Sequence, residues 1–194
     1  MTNDRTILIT GVTGNQGGAV AQALRGTGFH LRGLTRMPEG ERAAALARQR
    51  VDIVKGDLDD EATLRRALAG AWGVFGVQNA GEAGVEREEA QGKRLATLAR
   101  EAGVEHYVYT SVGSADKQTG IPHFDNKWRI EETVRDLRFP SHVILRPVFF
   151  MENLLAPYSL QGDTLAWALN LLRSRMARSW RRSQGLSMPG SSHL

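Results

Sequence analysis

The sequence predicts an α/β fold in which a doubly wound parallel sheet carries helices on its two faces. Short apolar runs rich in β-branched and aromatic residues alternate with segments of helical periodicity along the 194 residues. A glycine-rich turn joins the first apolar run to the first helical segment. Strands that alternate with helices favour a parallel sheet, and ligands bind such a sheet beyond the carboxyl ends of its strands.

Each element has its own signal. The predicted strands share short apolar runs and are residues 7–10, 30–36, 51–54, 72–77, 106–112 and 142–145. Such runs are typical of strands that are buried on both faces. The predicted helices are residues 19–24, 41–49, 60–70, 86–102 and 129–137. Gly103 is expected to end the fourth helix, and the last must end before Pro140.

The turn at residues 11–17 is the strongest indication of function. It reads Gly11-Val12-Thr13-Gly14-Asn15-Gln16-Gly17 between the first strand and the first helix. A helix that begins there presents unpaired N–H groups and a positive end, which suit a pyrophosphate. Gly11 would allow the tight exit from the strand, Gly14 the close approach of phosphate, and Gly17 close packing of helix and sheet. A dinucleotide is the predicted ligand, and an ordinary structural turn is the alternative.

The end of the second strand indicates which dinucleotide is preferred. NAD-binding folds place a carboxylate there for the ribose 2′-hydroxyl, whereas an arginine accommodates a 2′-phosphate. The predicted strand ends at Arg36, and the first acidic residue after it is Glu39. We therefore expect NADP (NADPH) to be preferred over NAD, with Arg36 on the phosphate. The alternative is that Arg36 is a solvated loop cation.

Composition limits the class of protein. The length predicts one domain with a sizeable core. The chain has no cysteine, so disulfides, thiolate nucleophiles and Cys-ligated metals are excluded. The five histidines are not spaced as metal ligands, and no metal site is predicted. No leader or membrane-spanning run is recognised, so the expected location is the cytoplasm, without membrane contact.

Four motifs together resemble the NmrA-like family of atypical short-chain dehydrogenases. They are Ile-Thr-Gly-Val-Thr-Gly-Asn-Gln-Gly-Gly at residues 9–18, Gly56-Asp57-Leu58, His123-Phe124-Asp125-Asn126-Lys127, and Leu145-Arg146-Pro147 through Met151-Glu152-Asn153-Leu154. The resemblance implies a Rossmann-like NAD(P)-binding domain over residues 1–165. It also implies that Thr13, Asn15 and Gln16 line the phosphate turn, that Asp57 and Leu58 lie against the adenine, and that Pro147 belongs to the cofactor site. The residue chemistry of Gly56-Asp57-Leu58 equally fits a strand-ending turn near a helix cap.

The resemblance gives a less complete picture of catalysis. Short-chain dehydrogenases that reduce carbonyls use a Tyr-x-x-x-Lys pair, but here Lys127 is preceded by His123 instead of tyrosine. Lys127 would hold the nicotinamide ribose, and His123 would either donate a proton or cap the following helix as a partly buried side chain. Ser111 would offer a hydroxyl to the substrate or be an ordinary turn serine.

Two functional classes follow from this resemblance. One is an NADPH-dependent oxidoreductase that acts on a small carbonyl or quinone. The other is a non-catalytic redox sensor that binds NADP(H) and a regulatory protein partner. The missing tyrosine favours sensing, but quinone reduction does not require it because the cofactor carries the hydride.

The C-terminal residues 166–194 form a separate basic tail. No acidic residue follows Asp163, whereas five arginines occur, so the formal net charge of +4 resides in the tail. The tail is expected to be a basic arm, a solvated helix with a disordered end, or sequence foreign to the original fold. The third interpretation is preferred and predicts a truncated enzyme that lacks most of its substrate region and exposes apolar surface at residues 149–155. Any nucleic-acid binding would be non-specific.

Overall fold

The computed structural model describes residues 4–148 and 150, together with the backbone of residues 160–161 and 164–165. The chain divides into two compact units, residues 1–148 and 149–194. The basic tail lies outside the described residues, and the predicted domain boundary at residue 165 lies next to it. Both therefore stay predictions. In the second unit, β7 (Leu160–Gln161) pairs with β8 (Thr164–Leu165) in antiparallel orientation.

The first unit contains a six-stranded parallel sheet, which confirms the predicted fold class. Its strands are β1 (Thr6–Ile9), β2 (His30–Thr35), β3 (Val51–Lys55), β4 (Ala71–Gly76), β5 (His106–Thr110) and β6 (Ser141–Leu145). They lie in the order β3-β2-β1-β4-β5-β6, and every neighbouring pair is parallel. The order reverses direction between β1 and β4, and this topological switch point is where doubly wound sheets bind ligands.

Helices cover the two faces of the sheet. They are α1 (Asn15–Ala23), α2 (Glu41–Arg48), α3 (Glu61–Leu68), α4 (Ala80–Ala83), α5 (Val85–Glu101) and α6 (Pro122–Asp136), with a 3₁₀ turn at Ala115–Lys117. Asp60 caps α3 by accepting from the N–H groups of Ala62 and Thr63. Gly103 follows the end of α5 with a φ of +78°, as the predicted stop requires.

Several elements differ from the predicted ones. The last helix begins at Pro122 rather than Arg129, because proline is well suited to a first helical turn, where no N–H partner is lost. β5 ends at Thr110, so residues 111–112 belong to the following loop. The short α4 was not predicted, since four residues are too few for helical periodicity to be recognised.

The sheet separates two apolar clusters. Leu8 belongs to the cluster with α3, α5 and α6, whereas its neighbour Ile9 belongs to the cluster with α1. Successive side chains of a strand point to opposite faces, so β1 contributes to the two clusters in turn. The central strands are buried as predicted, but β6 is not. Val143 and Leu145 of β6 are 41% and 44% exposed because this strand lies at the edge of the sheet.

Two further expectations concern surfaces. Phe150 is 43% exposed, and the other residues of the apolar stretch predicted at 149–155 lie outside the described part of the chain. Within the described residues, no helix has the length and apolarity to cross a membrane.

Candidate functional site

The glycine-rich turn follows β1 and leads directly into α1. Gly11 has a φ of +57°, a conformation that side-chain-bearing residues rarely adopt. The N–H of Gly14 donates to the carbonyl of Gly11 over 2.9 Å. A Cβ added to Gly17 would lie 2.6 Å from the carbonyl carbon of Gly11, so the first turn of α1 packs against the exit from β1. This tight geometry requires glycine at positions 11 and 17.

The N-terminus of α1 has no side-chain cap. Gly14 is the N-cap residue, and no described side chain accepts from the first N–H groups of the helix. Gly14 and Asn15 are exposed, and Thr13 and Gln16 are half-buried. Uncapped N–H groups and the positive end of the helix dipole therefore reach the surface, an arrangement suited to an anion.

Hydrogen bonds fix this turn at the switch point between β1 and β4. The N–H of Thr10 donates to the carbonyl of Phe75 over 3.0 Å, and the N–H of Val77 donates to Thr10 Oγ1 over 2.8 Å. From the other side, Arg42 Nη1 of α2 donates to the carbonyl of Thr13 over 3.0 Å. Arg42 was missed in the sequence, where nothing distinguishes it from a solvated helix cation.

Arg36 lies directly after β2, as predicted, but it has an unexpected partner. Its guanidinium forms a close ion pair with the Glu82 carboxylate of α4. The hydrogen bond that Arg36 donates to Glu82 is the main reason that the pKa of Arg36 is raised above its ordinary value, and the charge of Asp57 contributes as well. The carboxylate absent from the sequence after β2 is thus supplied from 46 residues further along the chain.

The segment at residues 56–58 forms a hydrogen-bonded turn after β3. Asp57 Oδ1 accepts from the N–H of Asp59 over 3.0 Å, and the N–H of Asp57 donates to Thr63 Oγ1 over 3.1 Å. Leu58 packs against the larger apolar cluster. These contacts fit the turn interpretation, and they leave the predicted contact with adenine a proposal.

Gln78 is a candidate that the sequence analysis missed. It follows β4 at the same edge of the sheet, and its side chain is 5% exposed. Among the described residues, neither the amide nitrogen nor the amide oxygen has a hydrogen-bond partner. A buried amide without partners is costly, so this one is a group that a ligand could satisfy.

Lys127 lies in the second turn of α6 and is paired with a buried carboxylate. Its Nζ is 2.8 Å from Glu88 Oε1 of α5, and the two side chains are only 12% and 1% exposed. Asn126 Nδ2 donates to Glu88 Oε2 over 2.8 Å and so holds the second carboxylate oxygen. Nothing in the sequence distinguished Glu88 from the neighbouring glutamates of a solvated helix face.

His123 lies one turn before Lys127, at the exposed start of α6. The expectation of a partly buried capping histidine is wrong, because Pro122 begins the helix and His123 is already in its first turn. Among the described aromatic rings, that of His123 makes a T-shaped contact with Phe124 alone. An exposed imidazole can exchange protons with water, as the proton-donor hypothesis requires.

Tyr109 lies near Lys127 but does not replace the missing tyrosine. The ammonium of Lys127 lies 5.6 Å from the ring centroid of Tyr109. The phenol is fully buried, and burial raises its pKa, with the charge of Glu88 adding to the effect. A phenol without solvent access and with a raised pKa is a poor proton donor at neutral pH.

The loops after β5 and β6 are joined to each other. The N–H of Ser111 donates to the carbonyl of Leu145 over 2.7 Å, and the N–H of Gly113 donates to the carbonyl of Pro147 over 2.8 Å. Ser111 is buried and Pro147 is half-buried.

Arg146 binds the buried Glu131 of α6 over 2.6 Å. Burial alone would raise the pKa of Glu131, but the hydrogen bond from Arg146 contributes to a net lowering.

The structure therefore gathers most predicted site residues along the carboxyl edge of the sheet. Each of these residues follows a strand that ends at this edge: the phosphate turn, Arg36, Asp57, Ser111 and Pro147. Among the described residues, no group of three or more histidine, aspartate or glutamate side chains is arranged to hold a metal ion.

This fold and this edge define a Rossmann-like class of protein, with a glycine turn and an uncapped helix at the switch point. The chain belongs to the NmrA-like family, whose sequence profile matches residues 3–169. An NmrA-like family domain-containing oxidoreductase of Aspergillus japonicus, himF, is 33% identical over 160 residues, which are 78% of this chain and 48% of that protein.

Solved structures of the same fold include enzymes and a regulator. The NADPH-dependent quinone oxidoreductase QOR2 of Escherichia coli, in complex with NADPH, has a TM-score of 0.67 at 29% identity. The match covers 79% of this chain and 52% of the oxidoreductase chain. The negative transcriptional regulator NmrA, in complex with NADP, has a TM-score of 0.62 at 26% identity. The match covers 73% of this chain and 45% of the regulator chain. NmrA is also known in complex with NAD. The chain spans about half the length of these relatives.

Proposed function

We propose that this chain binds a nicotinamide dinucleotide at the carboxyl edge of its sheet and acts as an NADPH-dependent oxidoreductase. The observation that carries the proposal is the uncapped N-terminus of α1 behind the glycine turn, at the switch point between β1 and β4. The backbone of Gly11 takes the space that a Cβ at Gly17 would fill. Because glycines form this turn, its N–H groups can face a pyrophosphate without side chains between them.

Each part of the cofactor has candidate partners along this edge. The pyrophosphate would lie on Gly11, Thr13, Gly14, Asn15, Gln16 and Gly17. Arg36 would bind a 2′-phosphate, and Asp57 and Leu58 would lie against the adenine. The buried amide of Gln78, which lacks partners among the described residues, would form hydrogen bonds with the bound dinucleotide. Lys127 would hold the nicotinamide ribose near Pro147, with its ammonium oriented by Glu88.

NADP is proposed as the preferred cofactor because Arg36 stands at the end of β2. A guanidinium binds a phosphate through charge-assisted hydrogen bonds, which a ribose hydroxyl cannot match. The E. coli quinone oxidoreductase and the NmrA regulator in complex with NADP support this choice by analogy.

The proposed substrate is a small carbonyl or quinone. The cofactor would supply the hydride when it is bound. The chain would then need only to hold the substrate, by means of the Ser111 hydroxyl, and to provide a proton to the reduced oxygen. His123 is exposed at the start of α6 and can relay that proton from water.

A cofactor-sensing regulator is the second candidate. It is favoured by the absence of a tyrosine partner for Lys127 and by the burial of Tyr109, which leave the site without an efficient proton donor. In this role the chain would bind NADP(H) and present a different surface to a protein partner.

Calorimetric titration of the chain with NADPH and NADH is the decisive experiment, repeated with Arg36→Ala. We expect NADPH to bind more tightly than NADH, and the variant to lose this difference. Absence of binding by either nucleotide would contradict the proposal. Oxidation of NADPH with a panel of quinones and aldehydes then separates the two candidates, since a sensor binds the cofactor without turnover.

A further inference from the structure

The pairing of Arg36 with Glu82 bears directly on cofactor choice. The two side chains are 57% and 56% exposed and contact each other across the edge of the sheet. Within residues 4–148, Glu82 is the sole hydrogen-bond partner of the Arg36 side chain. The guanidinium that is proposed for a 2′-phosphate thus already binds a carboxylate.

The backbone fixes the position of Glu82. Asn79 starts α4, accepting from the N–H of Gly81 through Oδ1 over 3.0 Å and from the N–H of Glu82 through its carbonyl over 3.2 Å. Gly84, with a φ of +82°, ends this short helix and turns the chain into α5. The carboxylate is therefore brought to Arg36 by a defined loop between β4 and α5.

The positive charge of Arg87 also acts on Glu82 and on Arg36, but its described hydrogen bond goes to another carboxylate. Arg87 donates from Nε to Asp59 Oδ2 over 2.6 Å, so this guanidinium is already paired. Asp57 adds a second negative charge that acts on Arg36. A phosphate that approaches Arg36 must therefore displace Glu82 or lie beside it, and either alternative weakens binding because like charges repel.

We propose that Glu82 is a specificity-determining residue that limits the preference of this site for a 2′-phosphate. The inference rests on the proposed dinucleotide function. A ribose 2′-hydroxyl has no charge to be repelled and can donate a hydrogen bond to a carboxylate, as in NAD-binding folds. Glu82 therefore lowers the affinity for NADPH and leaves that for NADH unchanged or improved.

The test is calorimetric titration of the full chain with NADPH and with NADH, using Glu82→Gln. The matched control is Glu86→Gln, which removes the same charge from an exposed residue that makes no ion pair within the described part of the chain. We expect Glu82→Gln to tighten NADPH binding by about fivefold, the upper range for an exposed ion pair, without tightening NADH binding. The control should change neither affinity.

Three outcomes would overturn the inference. In the first, the wild-type chain binds NADPH, but Glu82→Gln and Glu86→Gln have the same affinity for it. The proposed function then stands and the inference fails. In the second, Glu82→Gln tightens NADH binding as much as NADPH binding, so Glu82 does not discriminate between the two cofactors. In the third, the wild-type chain binds neither nucleotide, and the proposed function and the inference fail together.

Discussion

At the scale of single residues, the site is defined by buried polar groups that differ in whether they have partners. Glu88 and Lys127 neutralise each other in the interior, and Asn126 completes the pair. Gln78 is buried to a similar degree, but its amide has no partner in the described part of the chain. Breaking the first arrangement would leave a buried charge unpaired, whereas the second reduces stability as it stands and is understandable where a ligand supplies the missing partners.

Replacement of Gln78 by methionine should separate stability from binding. Removing an unpaired buried amide is expected to leave the free energy of unfolding unchanged or to raise it by about 1 kcal/mol. The same variant should bind NADPH less tightly. Urea denaturation without ligand measures the first effect, and calorimetry measures the second.

Gln91→Met is the matched control for this prediction. Gln91 is also buried, but its Nε2 donates to Asp59 Oδ2 over 2.8 Å. Its replacement should lower the free energy of unfolding, because a hydrogen bond to a charged group is lost. Equal destabilisation by the two variants would mean that the amide of Gln78 is satisfied in the folded chain.

Replacement of Lys127 by methionine should destabilise the chain by about 3–5 kcal/mol, since it leaves the buried Glu88 carboxylate unpaired. Adding Glu88→Gln should recover part of this loss. Lys93→Met is the control, because Lys93 pairs with Glu89 at the surface over 2.7 Å and such pairs contribute less than about 1 kcal/mol. Equal losses in chemical denaturation for Lys127→Met and Lys93→Met would contradict the role of the buried pair.

At the scale of elements, local patterns predicted the strands and most helices, whereas contacts between distant segments could not be predicted. The six strand cores follow from short apolar runs, and Asp60 and Gly103 mark helix ends by their own chemistry. The early start of α6 was missed because Ile121-Pro122 reads as a break in the chain. The contact of Arg36 with Glu82 joins residues 46 positions apart, a separation that no local pattern encodes.

The junction of β1 with α1 gives a prediction at this scale. Gly17→Ala should lower the free energy of unfolding by about 3 kcal/mol and abolish nucleotide binding, because the new Cβ would overlap the backbone of Gly11. Gly73→Ala in β4 is the control, since its Cβ would meet its nearest neighbour at an ordinary 3.4 Å. Thermal denaturation and calorimetry measure the two effects. A Gly17→Ala chain as stable as the control would mean that α1 can move away from β1 without loss.

At the scale of the whole molecule, all residues proposed to hold the dinucleotide lie in the unit of residues 1–148. The glycine turn, Arg36, Gln78 and Lys127 are positioned by one sheet and the helices that pack on it. The proposed binding function therefore depends on this unit.

Nucleotide binding should consequently stabilise the chain even if turnover is slow. At a free NADPH concentration about 100 times the dissociation constant, the folded state gains about 2.7 kcal/mol. A domain of this size then melts roughly 5–10 °C higher, since each kcal/mol corresponds to about 2–4 °C. Scanning calorimetry with and without NADPH measures this shift, and Arg36→Ala should reduce it to the shift given by the same concentration of NADH. A wild-type melting temperature that is insensitive to both nucleotides would show that the edge of the sheet does not bind them, whatever the rate measured with quinones.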